Sequence, residues 1–362
     1  MMKNPTSGLI FPRQALSSRG RGLTFDDVLL MPSRSDVRSR RDPALDTRLT
    51  KSLSMRVPLI SANMDTVTEA AMAVAMAKEG GFGPIHRFMS IDAQADQVAE
   101  AKRALQARPG SVVGASIGVG DEARERAKAL LKVGVDVIVL DIAHGHSAQM
   151  IETLKWLKDM APHVQAIAGN IAMPDAAIEL ADAGADAIKV GIGPGSMCTT
   201  RIITGCGVPQ LTAIALCAEA IEGRDIPIIA DGGLKTSGDI VKALAAGADT
   251  VMLGSMLSGC IETPGEIVAG RKQYRGMASK AAQVSWRGGV PEGMAPEGES
   301  RSVAIKGHVR DAVLEICGGI RSGMSYLNAN TVLEIREKAR FMEMTAAGAM
   351  ESRAHGLANS ST

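Results

Sequence analysis

The segment PIIADGGLKTSGDIVKALAAGADTVML, residues 227–253, contains the structural unit that repeats along this chain. Its two short apolar runs, 227–230 and 250–253, have the length and composition of buried strands. Residues 237–246 between them carry apolar side chains at helical spacing, and Gly247 follows as a helix C-cap. The segment is therefore predicted to be a strand, a turn built on Asp231-Gly232-Gly233, a helix and a second strand.

The same alternation recurs from residue 57 onward. Strands are predicted at residues 57–62, 82–86, 112–117, 137–142, 165–169, 187–191, 227–230 and 250–253. Helices are predicted at residues 70–79, 121–133, 147–160, 174–183, 210–222 and 237–246. Eight strands, each mostly followed by a helix, match the number in an α/β fold of the (β/α)8 TIM-barrel type, which the sequence therefore predicts. The main alternative, an open doubly wound sheet that binds a dinucleotide, usually has a glycine-rich turn after its first strand. This chain has Ser61-Ala62-Asn63-Met64-Asp65 there, which favours the barrel.

The composition indicates a globular protein of a reducing compartment. Its 46% hydrophobic content permits a sizeable core, and 40 basic against 39 acidic residues leave a net charge of +1. Five cysteines without metal-ligand spacing argue against a disulfide framework. No apolar run reaches the roughly 18 residues that a membrane span needs, and no secretory signal is recognisable. We expect a cytoplasmic protein with no nucleic-acid partner and no membrane association.

The domain organisation is predicted to be simple. An N-terminal arm spans residues 1–22, a single barrel spans 23–350, and a disordered tail spans 351–362. Within the barrel domain, about 100 residues follow the eighth strand, more than the barrel itself requires. Residues 272–306 are rich in Gly, Ser, Arg and Glu without a sustained period, so we expect an irregular flap over the barrel mouth. Residues 312–344 return to helical periodicity and are expected to pack on the barrel exterior.

Polar and glycine residues follow the predicted strands at the same relative position. They are Asn63, Asp65, Asp141, His144, Asn170, Cys198, Asp231, Gly232 and Ser255. Barrel enzymes build their active sites at the carboxyl ends of the strands. A single turn or cap would explain any one of these residues, but not the whole set. The sequence therefore predicts an active site at that face.

Two loops predict a phosphate site. Asp231-Gly232-Gly233 follows the seventh strand and Gly254-Ser255 follows the eighth, the two loops that often bind phosphate in barrels. Ser196, in the sixth loop, could add a donor. The Asp231 carboxylate suits the paired hydroxyls of a ribose, and the amide of Asn170 could face a nucleotide. Asp141, His144 and His146 have weak metal-ligand spacing, so loop or cofactor contacts are favoured over a metal.

The loop GIGPGSMCTTR, residues 191–201, predicts a nucleophile. Glycines allow close main-chain approach to a ligand, and Cys198 stands among hydroxyls beside Arg201. A thiolate formed there could attack an electron-poor carbon, with Thr200 next to it. In the flap, Glu297 is the best candidate for proton transfer, because a carboxylate beneath a lid is desolvated and its pKa rises. Arg201 could assist catalysis or simply hold the loop.

Longer motifs carry a resemblance to a known family. They are SANMDTVT at 61–68, the cysteine loop at 191–201, TGCGVPQ at 204–210, DGG at 231–233 and GGIRS at 318–322. From about residue 23 to residue 344 the chain resembles the IMP dehydrogenase/GMP reductase family. The resemblance implies a purine-nucleotide enzyme in which Cys198 attacks C2 of the purine. It also implies a nicotinamide cofactor, a homotetramer, and a monovalent-cation (potassium) site formed by carbonyls of Gly191, Gly193 and Cys198.

The resemblance also assigns roles to site residues. Catalysis is assigned to Cys198, Thr200 and Glu297; Glu292 lies in a second Pro-Glu-Gly, but only Glu297 keeps the spacing to Lys306-Gly307. GMP or IMP is assigned to Ser61, Met64, Asn170, Ser196, Asp231, Gly232, Gly233, Gly254, Ser255, Gly276 and Met277. The cofactor is assigned to Asp141, Ala143, His144 and Ser279.

The flap distinguishes the two branches of the family. Motifs in the first half, at 63–68, 89–91 and 141–147, are closer to the dehydrogenases. Most dehydrogenases carry a regulatory CBS pair where this chain runs directly from residue 103 to residue 111, but the absence of that pair is compatible with either branch. Dehydrogenases of this family hydrolyse their intermediate with an Arg-Tyr pair in a longer flap. This chain has no Arg-Tyr dipeptide, and its flap matches the reductase pattern in length. The resemblance therefore implies NADPH-dependent reduction of GMP to IMP and ammonia.

Three alternatives stay open at this point. The first is an IMP dehydrogenase without CBS domains that oxidises IMP to XMP with NAD. The second is a catalytically silent relative that binds nucleotide, against which the intact Cys198, Thr200 and Glu297 argue. The third is a flavin-dependent barrel oxidoreductase, which would not need the cysteine loop.

Overall fold

Eight parallel strands surround the axis of the computed structural model, which describes residues 10–18 and 20–352. They are β1 (Leu59–Ser61), β2 (Pro84–Ile85), β3 (Gly114–Ile117), β4 (Val137–Asp141), β5 (Gln165–Ile171), β6 (Ala187–Val190), β7 (Ile228–Asp231) and β8 (Thr250–Leu253). Neighbours from β2 through β8 to β1 pair in parallel. Just before β2, Phe82 bridges Ile60, and its carbonyl accepts the N–H of Ser61 at 2.9 Å. The predicted TIM barrel is confirmed.

Eight helices surround the strands. They are α1 (Ala70–Lys78), α2 (Ile91–Leu105), α3 (Asp121–Lys132), α4 (Ala148–Met160), α5 (Pro174–Asp182), α6 (Gln210–Ala220), α7 (Ser237–Ala246) and α8 (Val309–Tyr326). Thr236 begins α7 with a capping box to Asp239, as the sequence pattern favours. Helix α8 contacts both α7 and α1, so it completes the ring of helices although the flap separates it from β8.

The strands are buried on both faces, which explains their continuous apolar sequences. One face packs against the helices through side chains such as Ile138, Leu140 and Ile188. The other face fills the barrel interior with a second apolar cluster. Its strand residues are Ile60, Val137, Val139, Ile167, Ala187, Ile229 and Met252. Because this interior is packed, only the mouth at the carboxyl ends of the strands is left for a ligand.

The N-terminal segment adds a small antiparallel sheet outside the barrel. Strands Ile10–Pro12 and Val28–Leu30 pair on either side of Arg340–Glu343. Phe11 and Leu16 are buried in the main core, so this part of the predicted arm packs on the barrel. Of the predicted disordered tail, Glu351 ends a short helix, Ala346–Glu351, and residues 353–362 lie outside the described residues.

The flap is more regular than the sequence predicts. Strands Arg271–Arg275 and Ser300–Ala304 form an antiparallel hairpin, and a helix, Lys280–Arg287, lies between them. The expectation of an irregular stretch over 272–306 was wrong. The buried positions of the first strand are Lys272 and Tyr274, so only one of them is apolar, and the second strand is largely exposed. The helix has only eight residues, so the segment shows no sustained apolar period. Within the described residues, none of the helices combines the length and apolar character needed to cross a membrane.

Candidate active site

The carboxyl ends of the strands open into a cavity of about 590 Å³ that reaches beneath the flap. This volume lies within the range of small-molecule sites. The predicted site residues that line it are Met64, Asp141, Ala143, Asn170, Gly191, Gly193, Ser196, Cys198, Thr200, Asp231, Gly232, Gly233, Gly254, Ser255, Gly276, Met277 and Glu297. Ser61, His144 and Ser279 do not line it. The barrel thus brings together residues that are up to 233 positions apart in sequence, from Met64 to Glu297.

Three side chains form a hydrogen-bonded relay at one wall of the cavity. The thiol of Cys198 donates to the hydroxyl of Thr200 at 3.1 Å. That hydroxyl donates to Oε2 of Glu297 at 2.7 Å, an ordinary distance for a hydrogen bond between two oxygens. The relay can move a proton between a group bound at Cys198 and the Glu297 carboxylate.

The backbone holds Glu297 against the cysteine loop. Gly298 forms an antiparallel bridge with Cys198, and the N–H of Glu299 donates to the carbonyl of Met197 at 2.9 Å. On its other side, the N–H of Glu297 donates to the carbonyl of Ala278 at 2.9 Å. Backbone hydrogen bonds therefore connect segment 297–299 both to the cysteine loop and to the start of the flap. Glu292, by contrast, is exposed and does not line the cavity.

The shape of the cysteine loop depends on one glycine and one arginine. A Cβ on Gly191 would lie 2.0 Å from the carbonyl oxygen of Asp231, so only glycine fits there. Arg201 donates to the carbonyl of Ile192 at 3.2 Å and to that of Val208 at 2.6 Å. Its guanidinium therefore ties the start of the cysteine loop to Val208, seven residues beyond the end of that loop.

A fully buried lysine organises the floor of the cavity. Nζ of Lys189, whose residue is 1% exposed, lies 2.7 Å from Oδ1 of Asp141 and 2.7 Å from Oδ2 of Asp231, and also donates to Oδ1 of Asn170. Burial alone would lower the pKa of Lys189, but the two carboxylates outweigh it and raise that pKa. Burial alone would raise the pKa of Asp141, yet Lys189 and Arg87 hold it below its ordinary value.

Part of the cavity lining is aromatic and cationic. The rings of Phe88 and Trp286 meet edge to face with centroids 5.5 Å apart. The guanidinium of Arg87 lies 4.7 Å from the Phe88 ring, and that of Arg287 lies 4.5 Å from the Trp286 ring. Burial lowers the pKa of Arg87, although Asp141 opposes this. Nε of Arg87 is buried and has no hydrogen-bond partner within the described residues, which suits a polar ligand.

Three predicted site residues have other neighbours. Ser61 is fully buried and accepts a hydrogen bond from the Thr68 hydroxyl at 2.8 Å. His144 is exposed, with its ring centroid 6.5 Å from that of His146. Ser279 is 1% exposed, and its hydroxyl accepts the N–H of Ala282 at 3.2 Å, so it caps the flap helix.

Replacing Ser279 with alanine should weaken the flap helix rather than remove a cofactor contact. Loss of an N-cap costs about 1 kcal/mol, so the amides of Lys280–Arg287 should exchange hydrogen faster. Ser279→Asp, which keeps a capping oxygen, should restore slow exchange. A rise in the KM for the dinucleotide that is equal in both variants would instead indicate contact between the hydroxyl and the cofactor.

The carbonyls assigned to a monovalent cation lie at the base of the cysteine loop. That of Gly191 accepts the Asn170 amide at 2.8 Å, which leaves its second lone pair for an ion. Within the described residues, no group of His, Cys, Asp and Glu side chains is arranged to hold a metal. The potassium site remains a prediction.

A family model described as "IMP dehydrogenase / GMP reductase domain" matches residues 22–355. The chain belongs to this family. The inosine-5'-monophosphate dehydrogenase of Cryptosporidium parvum is 43% identical, over 93% of this chain and 96% of that protein. The GMP reductase of Leishmania major is 35% identical, over 93% of this chain and 97% of that protein. A crystal structure of a Trypanosoma brucei GMP reductase variant with guanosine 5'-monophosphate has a TM-score of 0.87 at 35% identity, covering 94% of this chain and 99% of that one.

Family members are oxidoreductases that use a nicotinamide cofactor. Several residues that line the cavity of this chain suit a nicotinamide cofactor. The aromatic pair Phe88 and Trp286 offers faces for planar rings, and Arg87 and Arg287 offer charge to phosphates.

Arg87 and Lys189 were not identified from the sequence. For Lys189 a clue existed, because a lysine inside an apolar strand must find a buried partner.

Proposed function

We propose that this protein is a GMP reductase, which reduces GMP with NADPH to give IMP and ammonia. The observation that supports the proposal best is the Cys198–Thr200–Glu297 relay. Its flap residue is Glu297, and the flap contains no Arg-Tyr pair. The chain has only two tyrosines; Tyr274 is buried and Tyr326 lies on α8, well beyond the flap. The flap thus has a path for protons but lacks the dipeptide that the dehydrogenase branch uses to activate water.

The proposed reaction has two stages. Sγ of Cys198, as the thiolate, bonds to C2 of GMP, and the C2–N bond breaks so that the amino group leaves as ammonia. As the thiolate forms, the thiol proton passes through the Thr200 hydroxyl to Glu297. Glu297 returns a proton by the same path to the departing amine, which leaves as ammonia. When bound, NADPH supplies the hydride that reduces C2. The C2–S bond then breaks, which releases IMP and returns the thiolate.

The loops beyond the strands would hold the substrate. Backbone N–H groups at Ser196, Gly233 and Ser255 border the cavity and suit the 5'-phosphate. Asp231 uses Oδ2 for Lys189 and Asn170, which leaves Oδ1 to accept ribose hydroxyls. These groups orient the purine with C2 toward Cys198. The cofactor would contact Arg87, Phe88 and Trp286, which line the same cavity.

The second candidate is an IMP dehydrogenase that converts IMP to XMP with NAD. Its support is the 43% identity to the Cryptosporidium parvum enzyme, together with the dehydrogenase-like motifs of the first half. We further propose that the enzyme is a homotetramer that uses potassium, as the family resemblance implies, and that it is cytoplasmic, as its composition and cysteine content suggest.

Two assays on the purified protein should separate the candidates. In potassium buffer, GMP with NADPH should show loss of absorbance at the reduced nicotinamide band, with one ammonia and one IMP formed per NADPH consumed. IMP with NAD should show no reduced cofactor. The reverse pattern would establish the dehydrogenase. If NADH replaced NADPH without loss of rate, the proposed preference for NADPH would be wrong.

A further inference from the structure

Arg275 does not line the cavity, yet its guanidinium joins three segments around it. Its Nη2 and Nε lie 2.5 and 3.0 Å from Oδ2 of Asp65, in the loop that follows β1. Its Nη1 donates to the carbonyl of Ala281, in the first turn of the flap helix, at 3.1 Å. Its backbone N–H donates to the Thr66 hydroxyl at 3.3 Å. One residue therefore connects the barrel, the flap strand and the flap helix.

The ion pair between Arg275 and Asp65 is well shielded. The side chains are 20% and 9% exposed, so solvent screens their attraction much less than that of a surface pair. Oδ1 of Asp65 is buried without a hydrogen-bond partner within the described residues. Charge neutralisation of this carboxylate therefore depends on Arg275.

The position of Arg275 also sets the position of Glu297. In the flap hairpin, Arg275 pairs with Ser300, three residues beyond Glu297. The next residue, Gly276, donates its N–H to the carbonyl of Glu299 at 2.9 Å. A shift of the Arg275 strand would therefore move segment 297–299 along the cysteine loop. Because the Thr200–Glu297 contact spans only 2.7 Å, such a shift would break the relay.

We propose that Arg275 is a positioning residue that fixes the flap to the barrel through Asp65, so that Glu297 stays within reach of Thr200. The proposal rests on the proposed catalytic role of Glu297. It assigns Asp65 a purpose that its place beyond β1 did not reveal, since the side chain faces the flap hairpin rather than a ligand.

A double-mutant cycle tests the proposal. Arg275→Gln should lower kcat by about ten- to a hundredfold, the usual cost of a displaced catalytic group. In the Glu297→Gln background, the same substitution should lower kcat by less than about twofold, because the contact it maintains is already lost. Arg275→Lys should recover part of the activity. Arg271→Gln is the matched control, since Arg271 lies on the same strand but bonds to Ser302 within the hairpin.

Each outcome has one interpretation. Equal losses in the two backgrounds, or full activity of Arg275→Gln, would overturn the proposal. If Arg275→Gln does not fold, as judged by circular dichroism, the cycle is run with Asp65→Asn, which keeps the shape of the side chain. The wild-type rate is measured with both substrate pairs, and the cycle uses the pair that turns over. Full activity of Glu297→Gln would contradict the proposed function rather than the role of Arg275.

Discussion

Cys198→Ala should abolish turnover of GMP, with a fall in kcat of roughly 10⁴-fold or more, because no other group can form the bond to C2. Among the five cysteines, Cys198 alone lines the cavity within the described residues, and its thiol alone contacts Thr200. The loops after β7 and β8, from which a phosphate site is predicted, are untouched by the change. GMP should therefore still bind, which a calorimetric titration of the variant can measure.

The control for this prediction is Cys206→Ala. Cys206 lies five residues beyond the end of the cysteine loop and is exposed, and within the described residues its thiol donates to the carbonyl of Thr204, at 3.7 Å, rather than to a residue of the relay. Its loss should leave kcat within about twofold of the wild type. Mass spectrometry of quenched wild-type enzyme should show an adduct on the peptide that contains Cys198. Undiminished turnover by Cys198→Ala would contradict covalent catalysis altogether.

The barrel was predictable because its signals are local and repeated. Each strand is buried on both faces and reads as an apolar run, and several helices end at a glycine that the sequence shows directly. The eight strands were all found, with ends that differ from the structure by two residues or fewer in most cases. The flap hairpin was missed because the buried positions of the strand Arg271–Arg275 are Lys272 and Tyr274, and a lysine at a buried position hides the alternation of burial from a hydropathy pattern. The pairing of the hairpin strands is set by contacts with the barrel, which a local pattern does not contain.

The site was predictable to the extent that it depends on topology. Residues that follow parallel strands must meet at one face, so Asp141, Asn170 and Asp231 could be grouped without coordinates. The partner of each side chain was not predictable. Thr200 and Glu297 are 97 residues apart, and their contact depends on how the flap folds back. Ser61 matches a family motif, yet its side chain faces Thr68, because the side chains of a strand alternate in direction.

Lys189→Met should produce the largest loss of stability of any single change considered. Lys189 is the buried cation between Asp141 and Asp231. Its removal leaves two neighbouring carboxylates without the positive charge that both of them contact. Breaking a buried ion pair from one side costs about 3–5 kcal/mol, so the free energy of unfolding at pH 7 should fall by that amount. Urea denaturation followed by circular dichroism measures it. Lys189→Arg, which keeps the charge, is the control and should lose less.

The pH dependence of the unfolding free energy of Lys189→Met tests whether the two uncompensated carboxylates cause the loss of stability. In the wild type, the lowered pKa of Asp141 gives stability that is present above the ordinary value of about 4 and is lost as the pH falls through the native value. The raised pKa of Lys189 gives stability that is complete below about pH 10 and is lost only above it. The wild-type contribution of the cluster should therefore be constant between about pH 5 and 9. In Lys189→Met, Asp141 keeps its burial and the opposing charge of Arg87 but loses its main cation, so its pKa rises and its protonation relieves the repulsion from Asp231. The gap in unfolding free energy between variant and wild type should shrink as the pH falls toward 5. A gap that stays the same from pH 8 to pH 5 would mean that lost packing, and not the uncompensated carboxylates, accounts for the destabilisation.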